Sequence, residues 1–179
     1  AVVRSLRSGA ETLASLGARC RVVRSERWPS LVLLRALQQH RGADEVLCDC
    51  RGIVLDEAAG FRVAAFPYRA FFNAGEPQAP ADFDWTSARV YEKSDGSLCT
   101  LYSHGGSWEV ATQGSPDGSS AVAEGGGGPS FAELFWRTWR AAGYRLPEED
   151  RGLCFLFELL APENRVVVPP PEPPQLVLH

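Results

Sequence analysis

The sequence contains no methionine and a single lysine, and both absences are informative. Of its 18 lysine and arginine residues, only Lys93 is a lysine. Because even the first position is not methionine, we expect the chain to be a piece of a longer protein. The three histidines (His40, His104, His179) are far apart in sequence, so they suggest neither a catalytic triad nor a metal cluster. The sequence therefore predicts no metal-binding residue.

The sequence also lacks the features of membrane, secreted and strongly basic proteins. No apolar run approaches the roughly 20 residues that a transmembrane helix needs, and the first residues lack the apolar segment of a signal peptide. The net charge of −4 gives no overall basic surface for nucleic acid. The 5 cysteines are irregularly spaced, and Cys48 and Cys50 are expected on one buried strand face as reduced residues. We therefore expect an intracellular, cytoplasmic protein with no membrane partner.

The distribution of elements predicts an α+β fold dominated by antiparallel sheet. Residues 1–44 are expected to form a partly helical N-terminal segment, in which "SLVLLRALQQH" fits a helix or a buried strand that runs into a helix. From Glu45 onward, "EVLCDCRGIVLDE" and "FRVAAF" predict a hairpin, and "ARVYEK", "SLCTLYS" and "SWEVATQ" predict a meander. A flexible loop over 114–130 then precedes a helix that begins with the capping box of Ser130 and Glu133. The apolar run "GLCFLFELLAP" follows.

Lys93 lies just before an Asp95-Gly96 turn. In most proteins a lysine beside such a turn is an exposed hairpin residue. Here, however, every other basic side chain is arginine. A guanidinium stays protonated in proteins, whereas an amine can lose its proton and act as a nucleophile. The one retained lysine therefore suggests covalent chemistry.

Two further residues stand in apolar surroundings. Glu158 lies inside "CFLFELLAP", where an unpaired charge would be costly. Its partner is expected to be either an arginine, such as Arg165, or a bound polar ligand. Arg51-Gly52 begins an otherwise apolar strand, so Arg51 is either half of a buried ion pair or a phosphate clamp. Gly52 would allow a close approach of backbone or ligand.

Five sequence blocks, in order, resemble a known family. "EKSDGSL" resembles the K-x-D-G motif of the covalent nucleotidyltransferases. "CRGIVLDE", "FRVAAFPYRAFFNAGE", "YEKSDGSLCTLY", "WEVATQGS" and "FLFELLAPENRVVV" are similar to the phage-type RNA ligase 1 family, over residues 29 to 179. One K-x-D-G is weak on its own, but five collinear blocks are specific. The resemblance implies that residues 45–179 are an incomplete adenylation domain of the ATP-grasp-like ligase type.

The resemblance also implies a mechanism. Lys93 would attack the α-phosphate of ATP to give lysyl–AMP, and AMP would pass to the 5′-phosphate of an RNA strand. A 3′-hydroxyl would then seal the strand, with cleaved tRNA among the candidate substrates. Mg²⁺ would neutralise the phosphates.

The same resemblance assigns roles to individual residues. Arg51 would hold a phosphate, and Glu158 would accept a hydrogen bond from the ribose of ATP. Asp95 and Gly96 would form the turn that aims Lys93, and Glu92 would lie on the adenosine side.

The chain departs from the family pattern at several positions. Ala70 stands where relatives carry a basic residue, Arg69 is one position too early to replace it, and Gln113 also takes a position that is often basic. Upstream, Arg35-Ala36 stands where a Lys-Tyr pair is expected. The Glu-Gly strand and the two-lysine strand that follow in relatives are absent, so we expect shortening at both ends.

Two interpretations remain open. The chain is either part of an active RNA ligase, or a degenerate or truncated ligase-like domain that binds nucleotide or a partner without ligating. A Schiff-base enzyme would also use one lysine, but it usually needs a glycine-rich helix start that this β-rich sequence lacks. A plain interaction domain would leave Lys93 and Glu158 unexplained.

Overall fold

The computed structural model of the chain describes residues 1–79, 82, 84–123 and 127–179. The helices are α1 (Val2–Arg7), α2 (Leu13–Gly17), α3 (Glu45–Asp49) and α4 (Phe131–Ala141). The strands are β1 (Cys20–Arg24), β2 (Leu31–Ala36), β3 (Arg51–Asp56), β4 (Arg62–Ala65), β5 (Ser97–His104), β6 (Ser107–Ala111), β7 (Cys154–Leu160) and β8 (Gln175–Leu178). Single 3₁₀ turns occupy Gln38–His40, Glu148–Asp150 and Pro162–Asn164. The architecture is α+β, as predicted.

The first sheet has the strand order β1-β2-β3-β4, and all its neighbouring strands are antiparallel. Strand β2 is apolar on both faces because both are covered. Val32 and Leu34 pack with residues of α1–α3, while Leu31 and Leu33 face the second sheet. The segment "SLVLLRALQQH" is therefore a buried strand that runs into a 3₁₀ turn. Since β2 pairs with β1 on one side and with β3 on the other, the sheet runs across the predicted boundary at residues 44 and 45.

The prediction that "EVLCDC" is extended was wrong. Residues Glu45–Asp49 form α3, whose first turn is capped by the Asp44 side chain accepting from the Leu47 N–H at 2.8 Å. Cys48 therefore lies in a helix and Cys50 at its C-terminal cap, rather than on one strand face. All five cysteines are free thiols, and four of them are buried.

The second sheet has the strand order β6-β5-β7-β8. The predicted turn between β5 and β6 is present, with Gly105 and Gly106 both at positive φ, as a tight hairpin requires. Helix α4 covers the outer face of this sheet. It begins at the predicted capping box, where the Ser130 side chain accepts from the Glu133 N–H at 3.2 Å.

Two segments predicted as a strand and as a flexible loop differ from those predictions in the structure. "ARVYEK" is not a strand, because residues 88–95 have no regular structure and Val90 is 97% exposed. In the predicted flexible loop, Ser115 is buried and donates to Asp117, which in turn accepts from Ser25. The part of that loop at 124–126, and positions 80, 81 and 83 of the Pro-rich connector, lie outside the described residues.

The two sheets pack face to face through a small shared cluster. Leu33 and Val54 of the first sheet meet Tyr102 and Ala111 of the second. The Tyr102 hydroxyl is satisfied by donating to the Pro116 carbonyl at 2.6 Å. This contact fixes the relative position of the sheets and leaves an open cleft beside it. Within the described part of the chain, no helix is long and apolar enough to cross a membrane.

Candidate nucleotide-binding cleft

A β-bulge at the start of β3 places two arginines opposite each other. Leu34 pairs with Ile53, but the next residue of β2, Arg35, pairs with Arg51, so Gly52 is the extra residue. Gly52 has a φ of +94°, and a Cβ there would lie 3.4 Å from the Gln113 Cα. Glycine thus allows both the bulge and the close approach of the second sheet, and the bulge directs Arg51 to the cleft.

Arg51 is held without an acidic partner among the described residues. Its guanidinium carbon lies 4.2 Å from the centre of the Phe71 ring, and its Nη1 donates to the Arg69 carbonyl at 3.5 Å. Burial, followed by the charges of Arg41 and Arg35, lowers the pKa of Arg51. A cation that lacks an ion-pair partner and has two cationic neighbours is a suitable contact for an anionic ligand.

One cleft brings together most of the residues predicted from the sequence. It has a volume of about 840 Å³, within the range of about 300–1,000 Å³ of small-molecule sites. Its lining includes Arg51, Glu92, Lys93, Gly96 and Glu158. These residues come from β3, from the segment before β5 and from β7, so the two sheets build the cleft jointly.

Asp95 has a different position from the other predicted residues. Its side chain does not line the cleft but accepts from the backbone N–H groups of Val167 and Val168, at 2.8 and 2.7 Å. These two hydrogen bonds, with a smaller contribution from the charge of Lys93, lower the pKa of Asp95. Asp95 thereby links the segment that contains Lys93 to the residues that follow β7. Lys93 itself is exposed, and none of the described residues hydrogen-bonds to its side chain.

The carboxylate of Glu158 is mostly buried, with 12% of its side chain exposed. Glu158 Oε1 accepts from the Gly96 N–H at 3.0 Å, and Oε2 lies 3.8 Å from Nε2 of His179. Among the described residues, its ionic neighbour is thus His179 rather than the suggested Arg165. The hydrogen bond from Gly96 links the segment that contains Lys93 directly to the carboxylate. The predicted Asp95-Gly96 hairpin turn is not formed, because residues 88–95 have no regular structure and Gly96 is a simple bend before β5.

Gly96 should not tolerate a side chain. A Cβ there would lie 2.3 Å from the Leu159 carbonyl oxygen and 2.8 Å from Leu160 Cδ2. We expect Gly96→Ala to push β5 away from β7 and to destabilise the fold by about 1–3 kcal/mol. Urea unfolding measures the loss. Gly152→Ala is the control, because nothing lies within 4 Å of its Cβ position. Equal unfolding midpoints for the two variants would contradict this packing.

Arg69 does not line the cleft. Its side chain forms ion pairs with Asp49 and Glu45 of α3. The sequence-based expectation that Arg69 does not replace a basic residue at position 70 agrees with this arrangement. The segment around Arg69 belongs to neither sheet, so strand alternation is not the cause. Ala70 is held by its N–H, which donates to the Cys48 carbonyl at 2.9 Å, and it lies in a small concavity with Arg41 and Arg51.

Several side chains of the cleft were not assigned a role from the sequence, among them Tyr68, Phe71 and His179. An indication was available for the first two, since "FPYRAFF" concentrates aromatic residues in a segment without strand alternation. Phe71 is 56% exposed, and its ring lies under the guanidinium of Arg51. Nothing in the sequence pointed to His179.

The described residues contain no group of three or more histidine, cysteine, aspartate or glutamate side chains that could hold a metal ion.

The chain belongs to the phage-type RNA ligase family. Residues 49–179 match the profile of that family, which is described as RNA ligase. The chain is also similar to the RNA ligase of Rhodothermus phage RM378, with 29% identity over 69% of this chain. It spans about a third of the length of this curated relative, 35%.

Proposed function

We propose that this chain carries the nucleotide-binding part of an ATP-dependent RNA ligase, with Lys93 as the nucleophile. The observation that carries the proposal is that the one lysine of the sequence lines the same cleft as Arg51 and Glu158. Lys93 is exposed and has no hydrogen-bond partner among the described residues, so no hydrogen bond within the described chain has to break before its amine can reach a nucleotide. Family membership supports the same chemistry.

The first step forms a phosphoramidate. The deprotonated Nζ of Lys93 attacks the α-phosphorus of ATP, a P–N bond forms, and the bond to pyrophosphate breaks. The nitrogen then releases one proton to solvent, which leaves a neutral phosphoramidate N–H. Arg51 and Arg35 stabilise the negative charge that develops on the leaving phosphates. Their adjacent positions across the β2–β3 bulge suit two successive phosphate groups.

The next steps transfer and release AMP. A 5′-phosphate oxygen of RNA attacks the same phosphorus, the P–N bond breaks, and Lys93 takes up a proton. A 3′-hydroxyl then attacks the activated 5′-phosphate, the strand is sealed, and AMP leaves. Glu158 contributes by accepting a hydrogen bond from the ribose, which holds the α-phosphate in line with Lys93.

Intact mass after incubation with ATP and Mg²⁺ tests the first step. We expect the mass to rise by one AMP, and the adduct to be lost in acid but to survive in base, because a phosphoramidate P–N bond is acid-labile. Addition of pyrophosphate should reverse the labelling. An adduct that is stable in acid, or no adduct, would contradict the proposed chemistry.

A second candidate is a ligase-like domain that binds nucleotide without reacting. It is favoured by Ala70, which stands beside Arg41 and Arg51 where a basic residue was expected. Equilibrium dialysis with ATP separates the two candidates. Binding together with labelling supports the ligase, whereas binding without labelling supports the non-catalytic domain.

A further inference from the structure

A continuous row of side chains crosses the cleft from Arg51 to Glu158. Arg51 lies over Phe71, whose ring centre is 5.2 Å from that of Tyr68. The Tyr68 hydroxyl lies 3.0 Å from Nδ1 of His179, and the other ring nitrogen of His179 faces Glu158. The row therefore joins the cationic end of the cleft to its anionic end.

The backbone fixes His179 in this row. Its N–H donates to the Leu156 carbonyl at 2.9 Å, which continues the β7–β8 pairing beyond Leu178. Glu158 lies on the same strand, β7, two residues after Leu156. The imidazole is thus placed next to the carboxylate by the sheet itself and is held on its other side by Tyr68.

Tyr68 determines which atom of His179 faces Glu158. When the imidazole is neutral, a hydroxyl that donates to Nδ1 leaves the ring proton on Nε2. When it is protonated, both nitrogens carry protons. The remaining tautomer would direct the Nε2 lone pair at a carboxylate oxygen, which is repulsive. In each favourable state an N–H therefore points toward Glu158 Oε2.

The two oxygens of Glu158 are used differently. Oε1 is occupied by the Gly96 N–H at 3.0 Å. Oε2 lies 3.8 Å from Nε2 of His179, which is too long for a strong hydrogen bond but close enough for electrostatic attraction. Oε2 thus keeps its capacity to accept a hydrogen bond from a ligand, while its direction is fixed.

We infer that His179, oriented by Tyr68, is a positioning residue that presents Glu158 Oε2 to a ribose hydroxyl of the bound nucleotide. The inference rests on the proposed function. It makes the Tyr68–His179 pair a determinant of selectivity for ribonucleotide over deoxynucleotide. Loss of His179 should therefore act through Glu158 and not on binding in general.

Equilibrium binding of ATP, 2′-deoxy-ATP and 3′-deoxy-ATP tests this inference. The measurements use the Lys93→Arg variant, which cannot form an adduct. His179→Ala should weaken ATP binding about three- to tenfold, in the range of one ordinary hydrogen bond, because the variant misorients Oε2 but does not remove it. Binding of the deoxynucleotide that lacks the hydroxyl held by Glu158 should be unaffected. His179→Gln, whose amide can supply an N–H near the same point, should retain most of the selectivity. His40→Ala, outside the cleft, is the control.

The double variant Glu158→Gln/His179→Ala shows whether His179 acts through Glu158. We expect no further loss of selectivity beyond that of Glu158→Gln alone. Additive losses, or an equal loss for ATP and both deoxynucleotides in His179→Ala, would overturn the inference while leaving the proposed function in place. If the parent protein bound no ATP, both this inference and the proposed function would be wrong.

Discussion

Replacement of Lys93 by arginine should abolish covalent labelling by ATP and leave nucleotide binding nearly unchanged. Arginine keeps the positive charge, but its guanidinium stays protonated and cannot attack phosphorus. Because Lys93 is exposed and has no hydrogen-bond partner among the described residues, the fold should not respond to the change. Labelling should fall below detection, at least about 10³-fold, as expected when a covalent nucleophile is removed.

Lys93→Ala completes the comparison. It removes both the nucleophile and the charge, so labelling should be lost and ATP binding should also weaken. Intact mass and equilibrium dialysis on the same samples measure the two properties separately. An AMP adduct that persists in Lys93→Arg would place the nucleophile elsewhere. Equal binding by both variants would mean that the charge of Lys93 does not contact the phosphates.

The structural elements that were predicted correctly are those that depend on interactions between residues close together in sequence. The capping box of Ser130 and Glu133 fixes the start of α4 through hydrogen bonds within one turn. The Gly105-Gly106 turn fixes the β5–β6 hairpin in the same way. Neither depends on distant parts of the chain, and both were predicted correctly.

The errors arose where a short apolar segment has two possible structures. The segment "EVLCDC" fits a strand as well as one turn of helix, and the deciding feature is the single hydrogen bond that Asp44 accepts. "ARVYEK" alternates like a strand, but no neighbouring strand of the described chain pairs with it. Strand formation requires a partner, which the local pattern cannot supply.

For the candidate site, too, the sequence indicated single residues but not the contacts between distant segments. Chemistry and spacing pointed to Lys93, Arg51 and Glu158, and the structure places all three at one cleft. The juxtaposition of Arg35 with Arg51 depends on a bulge that exists only once β2 and β3 are paired. The His179–Glu158 contact requires β7 and β8 to be in register. These relations are tertiary, and no residue spacing in the sequence encodes them.

Arg51→Ala should slow the formation of the AMP adduct by about 10²–10³-fold, comparable to the removal of one preorganised group that stabilises transition-state charge. Arg51→Lys should recover only part of the rate, because an ammonium cannot offer the planar paired donors of a guanidinium. Rates of adduct formation at saturating ATP measure the effect. Arg24→Ala is the control, since Arg24 forms an exposed surface ion pair with Glu57, away from the cleft.

Stability should respond to Arg51→Ala in a different way from activity. Burial and the charges of Arg41 and Arg35 lower the pKa of Arg51, so the folded state holds this cation at a cost. Removing it relieves that repulsion and loses the contact with Phe71, and the free energy of unfolding should stay within about 1 kcal/mol of the parent. Inorganic triphosphate should raise the melting temperature of the parent but not of Arg51→Ala. An arginine that serves to bind an anion gains its ionic partner only when the anion is bound, so its removal should cost the free protein little stability. A large loss of stability in the variant would show instead that Arg51 stabilises the fold itself.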